Sequence, residues 1–450
     1  MQAKKIAKNR IIAIALLACF TVCLPGLNGI TARGDEIKTE SSSTDFSGAA
    51  LKLWSDYEHS NLINPATVRI DDTDVRLDGK DFVTLSPDKE LTATFDVKNG
   101  GNYLVVIDYL PVNARISDVE LAVSVDSVTY EGAVPVLWKD VSNEYPLDKY
   151  GNEMLPEQES IDDFVTNPII DSQSVTGKKD LVISLTAGNH TLNIKPLEQD
   201  LKVRLLFLAE DREVQRYDEY KDSLPKGLPP VSSIITIEAE KYAAKIDSSI
   251  RGTSVKNPAL SPYDTYKRRI NVIDGNSWNS SGQKVAWEFD IKQEGIYHIG
   301  FRYSQTNYPG KPSYRKIELD GRLLFSEMEA VPFHQTKGSQ YSNFVLCDEQ
   351  NNPYSFYLRP GKHVISMTAI MGDAEEPYER ILKIMQEIND ISAKIRKITG
   401  GITDKNRTWD MQVNFPDVIP KLEQCLKDIN SIYDYLKLSS NGKPSYANDL

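Results

Sequence analysis

Cysteine is scarce in this 450-residue chain. Of the four, Cys19 and Cys23 sit in an apolar N-terminal run, which leaves Cys347 and Cys425. Two thiols that far apart build no disulfide framework, so the domains must be held by hydrophobic cores of their own. Histidine is scattered: His59, His190, His298, His334 and His363 make no His-x-x-x-His pair, and a nucleophile elbow, a P-loop and a dinucleotide fingerprint are missing too. Nothing marks an active site, and the expectation is a protein that is not an enzyme. A glycosidase carboxylate pair carries no motif, however, so that reading stays open. Positive charge is also short. With residues 1–34 set aside, 47 basic residues face 64 acidic ones. That excess argues against nucleic acid and anionic membranes as partners, and suits a neutral ligand. Long apolar runs are few. The one at 11–24 is short for a membrane span of roughly 20 residues, and no other is long and apolar enough.

That run belongs to a targeting segment. Lys4, Lys5, Lys8 and Arg10 precede it, and Ala32-Arg33-Gly34 offers a small-x-small cleavage site, so residues 1–34 read as a signal peptide. Leu16-Leu17-Ala18-Cys19 resembles a bacterial lipoprotein box in which Leu17 and Phe20 fit poorly. A cleaved form and a lipidated form both remain open. Either way the chain reads as exported, to the medium or the cell surface.

What the sequence does contain is a repeat. FDVKNGGNYLVVIDY at 95–109 and FDIKQEGIYHIGFRY at 289–303 align without a gap, pairing Phe95 with Phe289, Asp96 with Asp290, Lys98 with Lys292, Gly101 with Gly295, Tyr103 with Tyr297 and Tyr109 with Tyr303. A second shared phrase follows each copy, LTAGNHTLNI at 185–194 and LRPGKHVISM at 358–367. So long a period means two domains of one kind. Alternating apolar residues separated by Gly, Pro, Asn and Asp clusters predict strands and hence β-sandwiches. A polar lead-in at 35–49 is followed by a first module at 50–210, a Pro-rich linker at 211–233 and a second module at 234–373. The first copy is longer, and its extra residues are expected in the acidic loop at 140–176.

After Gly372 the period changes. Ile381, Ile384, Ile388, Ile391, Ile395 and Ile398 form an a/d heptad of isoleucine, and Ile419, Leu422, Leu426, Ile429, Tyr433 and Leu436 continue the pattern beyond Gly400-Gly401. An antiparallel helical hairpin is predicted over 374–438, with a polar tail at 439–450. The fold class is thus mainly β with an α-helical C-terminal segment: two tandem jelly-roll sandwiches, then the hairpin.

The phrase Ile235-Thr236-Ile237-Glu238-Ala239-Glu240, with Tyr242, precedes Val285-Ala286-Trp287-Glu288-Phe289-Asp290-Ile291, Gly295-x-Tyr297 and Pro360-Gly361-x-His363. In that order these resemble the family 6 and family 35 carbohydrate-binding modules, over about 234–372 closely and 65–208 more loosely. The resemblance implies jelly rolls that bind oligo- or polysaccharides. It also implies a structural calcium held by Glu238 and Glu240, whose side chains share one side of a strand. The usual last strand with an Asp ligand is missing here, since the chain turns helical soon after Asp373. The alternative for the pair is an edge strand with solvated carboxylates. The whole arrangement also looks like the N-terminal half of large Gram-positive extracellular solute-binding proteins of sugar ABC importers. That implies an importer, or a solute-binding domain, as partner of the C-terminal helices.

Sugar recognition needs aromatic rings against pyranose C–H faces and polar groups for the hydroxyls. Tyr103, Tyr109, Tyr297, Tyr303 and Trp287 alternate along strands and read as core. The loop residues Trp278, Tyr308 and Tyr314, with Asn276, Asn279 and Asn307, are the candidate ligand contacts. His190 and His363 share one repeat position beside a turn glycine and read as turn-stabilising. The function expected is non-catalytic saccharide capture outside the cell. The alternative is a structural or interaction protein whose sandwiches are spacers and whose helices dock a partner.

Overall fold

The computed structural model describes the strand Ala13–Leu16 and residues 62–439, apart from 115–117, 143, 229–230, 232, 307–309, 339, 401–405 and 407–409. The signal peptide (that strand excepted), the lead-in, the tail beyond 439, and the candidates Asn307 and Tyr308 lie outside the described residues.

Each repeat is a two-sheet sandwich built on alternation. In Leu91–Val97 the side chains of Leu91, Ala93, Phe95 and Val97 are buried while Thr92, Thr94 and Asp96 are not, the period of two that a half-buried strand requires. One sheet of the first module runs Val165–Pro168, Gly101–Pro111, Leu201–Glu210, Leu62–Ile63, with Val182–Leu185 and Val83–Leu85 alongside. The facing sheet centres on Val128–Val134, Val119–Val125, Gly188–Pro196, Leu91–Val97 and Thr67–Ile70. In the second module Gly361–Ile370 pairs with Lys284–Ile291 and Ser313–Leu319, as Gly188–Pro196 pairs with Leu91–Val97 and Val119–Val125 in the first. Gly295–Tyr303 anchors the opposite sheet, beside Ser342–Val345 and Phe356–Leu358.

The duplication extends to individual hydrogen bonds. Tyr103 donates its hydroxyl to the Asn99 carbonyl at 2.7 Å, and Tyr297 donates to Gln293 at 2.6 Å. His190 Nδ1 lies 2.8 Å from Asp126 Oδ2, and His363 Nδ1 2.7 Å from Asp320 Oδ2. The other oxygen of each aspartate accepts a backbone N–H, from Thr191 and Val364. Asp126 and Asp320 sit at φ 52° and 53°, left-handed turn positions that a short polar side chain tolerates. Both histidines therefore brace a turn.

The long loop of the first module has a structural task. Its strands Trp138–Asp140 and Gln158–Ser160 extend the second module's sheet, with Trp138 opposite Lys245 of Ala244–Lys245. Tyr242 donates to Asp140 Oδ1 at 3.0 Å, Tyr145 to the Glu240 carbonyl at 3.0 Å, and Arg269 pairs with Glu153 at 3.1 Å. Lys245 is buried and donates to the Tyr242 hydroxyl and the Ile250 carbonyl. The acidic loop thus joins the modules through a shared sheet and paired polar groups. The linker adds helix α1 (Tyr217–Asp222), whose Tyr217 packs on Phe325 and Tyr354.

Beyond the second sandwich come α2 (Glu375–Thr399), the short α3 (Met411–Asn414) and α4 (Val418–Ser439). Of the predicted isoleucine heptad, Ile384 and Ile391 are buried in the hairpin and Ile381 and Ile395 partly buried, while Ile388 and Ile398 are exposed. The second helix differs. The residues it buries against α2 are Val418, Cys425, Ile432 and Leu436; of the predicted seam Leu436 alone is among them, whereas Ile419, Leu422, Leu426, Ile429 and Tyr433 are exposed. α4 has apolar residues on two adjacent faces, and one partner helix covers one face.

Candidate functional site

The loop after Val272–Ile273 folds back on itself. Asp274 Oδ1 accepts the Asn276 N–H at 3.0 Å, and the Gln283 side-chain oxygen accepts those of Asn279 (2.8 Å) and Ser280 (2.9 Å). These bonds hold Trp278 with its indole N–H on the Gln283 carbonyl at 3.0 Å, its ring edge-on to Trp287 and under the Arg315 guanidinium at 4.7 Å. Tyr314, read from the sequence as a loop residue, lies within the strand Ser313–Leu319, opposite Ile370, and donates to Asp373 Oδ2 at 2.5 Å. Gly372, at φ +55°, makes room for it: a Cβ there would lie 2.3 Å from the Tyr314 ring.

These groups line a cavity of about 920 Å³ at one mouth of the second sandwich. It takes in Asn276, Trp278, Asn279 and Tyr314, four of the six predicted contacts. Tyr303, read from the sequence as core, is half-buried and lines it too, with its hydroxyl on the His334 carbonyl at 2.9 Å. Trp287 is buried core as predicted and forms part of the inner wall. Several lining residues had no sequence signal. Tyr341 and Gln305 lie in irregular loops, while Tyr378 and Leu436 come from α2 and α4. The hairpin is therefore one wall of the cavity, which heptad spacing could not announce. Gln305 donates to the Lys311 carbonyl at 2.9 Å, and its buried Oε1 has no partner among the described residues. Burial pushes the Lys311 ammonium below its usual value. The cavity thus offers several rings, amides and charged groups around a space that would enclose a small oligosaccharide.

At its inner end stands Glu240, with Glu238 two residues before it. The strand stops at Ile237 and Ala239-Glu240 is a turn, so the pair does not share one side of a strand as the sequence implied, nor is Glu240 solvated. Glu240 is buried, and burial first, then the charge of Glu238, pushes its carboxyl up to about 8. Burial also raises Glu238, against the pull of Lys241. Glu238 Oε2 and Glu240 Oε1 are buried and lack partners among the described residues. Carboxylate oxygens are the hard ligands calcium takes, six to eight at a time, and this pair supplies two of them. Among the described residues no group of three or more His, Cys, Asp or Glu is placed to hold a metal.

The C-terminal segment 376–449 matches the model for the four-helix bundle domain of bacterial solute-binding proteins. No curated protein sequence matches the chain. Among solved structures it is similar to a ruminal GH26 endo-β-1,4-mannanase, at 15% identity over 35% of this chain and 25% of that one, TM-score 0.21. It is also similar to a family 35 carbohydrate-binding module in complex with a glucuronic-acid-containing disaccharide, at 11% identity over 34% of this chain and 94% of that one, TM-score 0.21. A third is a family 35 module from Clostridium thermocellum, at 12% identity over 34% and 92%, TM-score 0.16. The chain spans a quarter of the mannanase's length.

Proposed function

We propose that the chain is an exported, non-catalytic saccharide-binding protein that captures an oligo- or polysaccharide in the cavity of its second module. The observation that carries this reading is the cavity, where Trp278, Tyr303, Tyr314, Tyr341 and Tyr378 surround Asn276, Asn279 and the unpartnered oxygen of Gln305. Rings would cover pyranose C–H faces and the amides would fix hydroxyls. Calcium held by Glu238 and Glu240 would brace the inner end without touching the sugar's chemistry. The match at 376–449 supports a link to solute-binding proteins, and with it a place beside a sugar importer. Calorimetry of residues 35–450 with neutral and uronic-acid-containing oligosaccharides tests the reading. Binding that falls at least tenfold in Trp278→Ala supports it; no binding by either class, with and without calcium, ends it.

A second reading rests on α4. Its exposed Leu422, Leu426, Ile429 and Tyr433 form the kind of seam that two more helices of a four-helix bundle would cover. On that reading the hairpin docks a solute-binding partner, and Leu426→Glu abolishes docking while sugar binding survives.

A further inference from the structure

One tip of the first module reaches the cavity of the second. The strand Lys179–Asp180 pairs with Ile170–Asp171 at the edge of the sheet that holds Val128–Val134, and the Lys178 ammonium is tied to Asp118 of the same module. From that base, residues 174–179 meet the loop that carries Trp278 and Asn279. The Ser281 hydroxyl donates to the Thr176 carbonyl. The two backbones approach at glycines: a Cβ on Gly282 would lie 2.5 Å from the Lys178 nitrogen, and one on Gly177 3.0 Å from the Ser281 carbonyl carbon. Any larger residue at either place would push the loops apart.

The same tip holds the start of α2. Lys179 is paired with Glu375 and with Glu379, the latter at 3.1 Å. The Thr176 hydroxyl stands 3.2 Å from the Glu375 carboxylate and 3.3 Å from that of Glu379. These two acids lie one turn apart on one face of the helix, and Tyr378, just before the second, borders the cavity. Val175 and Ser281 border it as well. Ion pairs as exposed as these add little to stability. Two carboxylates a turn apart on one ammonium do fix where a helix begins and which way it faces.

We propose that the first module is a positioning element of the saccharide site: Lys179 and Thr176 hold α2, and with it Tyr378, against the cavity, and Val175 supplies part of the wall. The inference rests on the cavity being the saccharide site. It makes that site a joint product of two modules and the hairpin, and gives the first module a task that needs no sugar site of its own.

Hydrogen exchange at the amides of 379–385, together with calorimetry on the full chain, tests it. The calorimetric probe is the tightest binder among neutral and uronic-acid-containing tetrasaccharides. Lys179→Glu sets a third carboxylate beside Glu375 and Glu379. Those amides should then exchange at least tenfold faster and affinity should fall at least fivefold, while the global melting temperature hardly moves. Adding Glu375→Lys and Glu379→Lys to Lys179→Glu reverses the pairing and should recover most of both losses. Thr176→Val should give smaller changes in the same direction. Unchanged exchange in Lys179→Glu overturns the clamp, whatever the chain binds. Faster exchange with unchanged affinity overturns the positioning role, and so does a charge swap that recovers neither. If the wild type binds no saccharide, the reading of the cavity fails and takes the positioning role with it, while the exchange contrast separately reports whether the first module holds α2.

Discussion

Raising the pH should destabilise the second module in a way that calcium reverses. The titrating group is Glu240, whose carboxyl is displaced from 4.5 in the unfolded chain to about 8 in the fold by burial and then by Glu238. A raised folded value means that the protonated form is the one the fold accommodates. Its stability is complete below about pH 4.5 and is lost as pH climbs through 8. At about 1.4 kcal/mol per unit the full span is worth about 5 kcal/mol. Between pH 6 and 8 the loss is about 2–3 kcal/mol, or roughly 5–10 °C in melting temperature for a domain of this size. Lys245 titrates nearby, but burial pushes its ammonium down to about 8. It therefore acts only above about pH 8, and with opposite sign, because the fold accommodates the neutral amine.

The assay is the melting temperature of residues 35–450 at steps from pH 5 to 9, in chelator and in millimolar calcium. In chelator the midpoint should fall across this range, and calcium should flatten the curve by replacing the Glu240 proton. Glu240→Gln keeps the shape of the neutral acid, so it should remove both the slope and the calcium response. A flat wild-type curve in chelator refutes the reasoning, as does an unchanged slope in Glu240→Gln. A slope that calcium leaves untouched keeps the Glu240 proton and removes the metal.

Three other perturbations have outcomes set by particular contacts. Glu318 is buried between Lys284 (2.5 Å), Lys316 (3.3 Å) and the Ser366 hydroxyl (3.1 Å); burial alone would raise its carboxyl, but the two lysines hold it down at about 2. Glu318→Gln should cost about 3–5 kcal/mol in urea unfolding, and the wild-type contribution should be present above pH 4.5 and disappear as pH falls toward 2. Gly372→Ala should displace the Tyr314 ring and weaken saccharide binding several-fold, for about 1–2 kcal/mol of stability, read by calorimetry and thermal unfolding. Tyr378→Ala should also weaken binding; unchanged affinity would mean that the hairpin is not a wall of the site.

Much of this fold was legible because alternation and duplication are local signals. Leu91–Val97, Val119–Val125 and Lys284–Ile291 are strands in which every second residue is apolar, the alternation from which the sandwiches were read. Four of the candidate contacts meet in the cavity: Asn276, Trp278 and Asn279 share one loop, and Tyr314 stands near the start of the strand Ser313–Leu319. What sequence could not express is pairing between distant segments. Trp138–Asp140 reads as loop on its own and becomes a strand because Lys245 offers it an edge. Two apolar faces on α4 also look alike in sequence, and the tertiary partner decides that Cys425 is buried while Leu426 is not.

The two modules end differently, and the cavity lies where they differ. In the first module Leu201 lies opposite Pro111 and Leu85, and Val203 opposite Tyr109. Leu85, Leu201 and Val203 are all buried, so the returning strand plugs that end of the sandwich. In the second module the chain leaves at Gly372 for α2, and among the described residues Tyr303 is paired on the Ser342 side alone. The space at the mouth is bordered instead by Trp278, Tyr314 and Tyr378, side chains with one apolar face and one polar edge. A sandwich that keeps its last strand has a filled mouth. Where the chain passes into α2 instead, a ligand-sized hollow is found at the mouth.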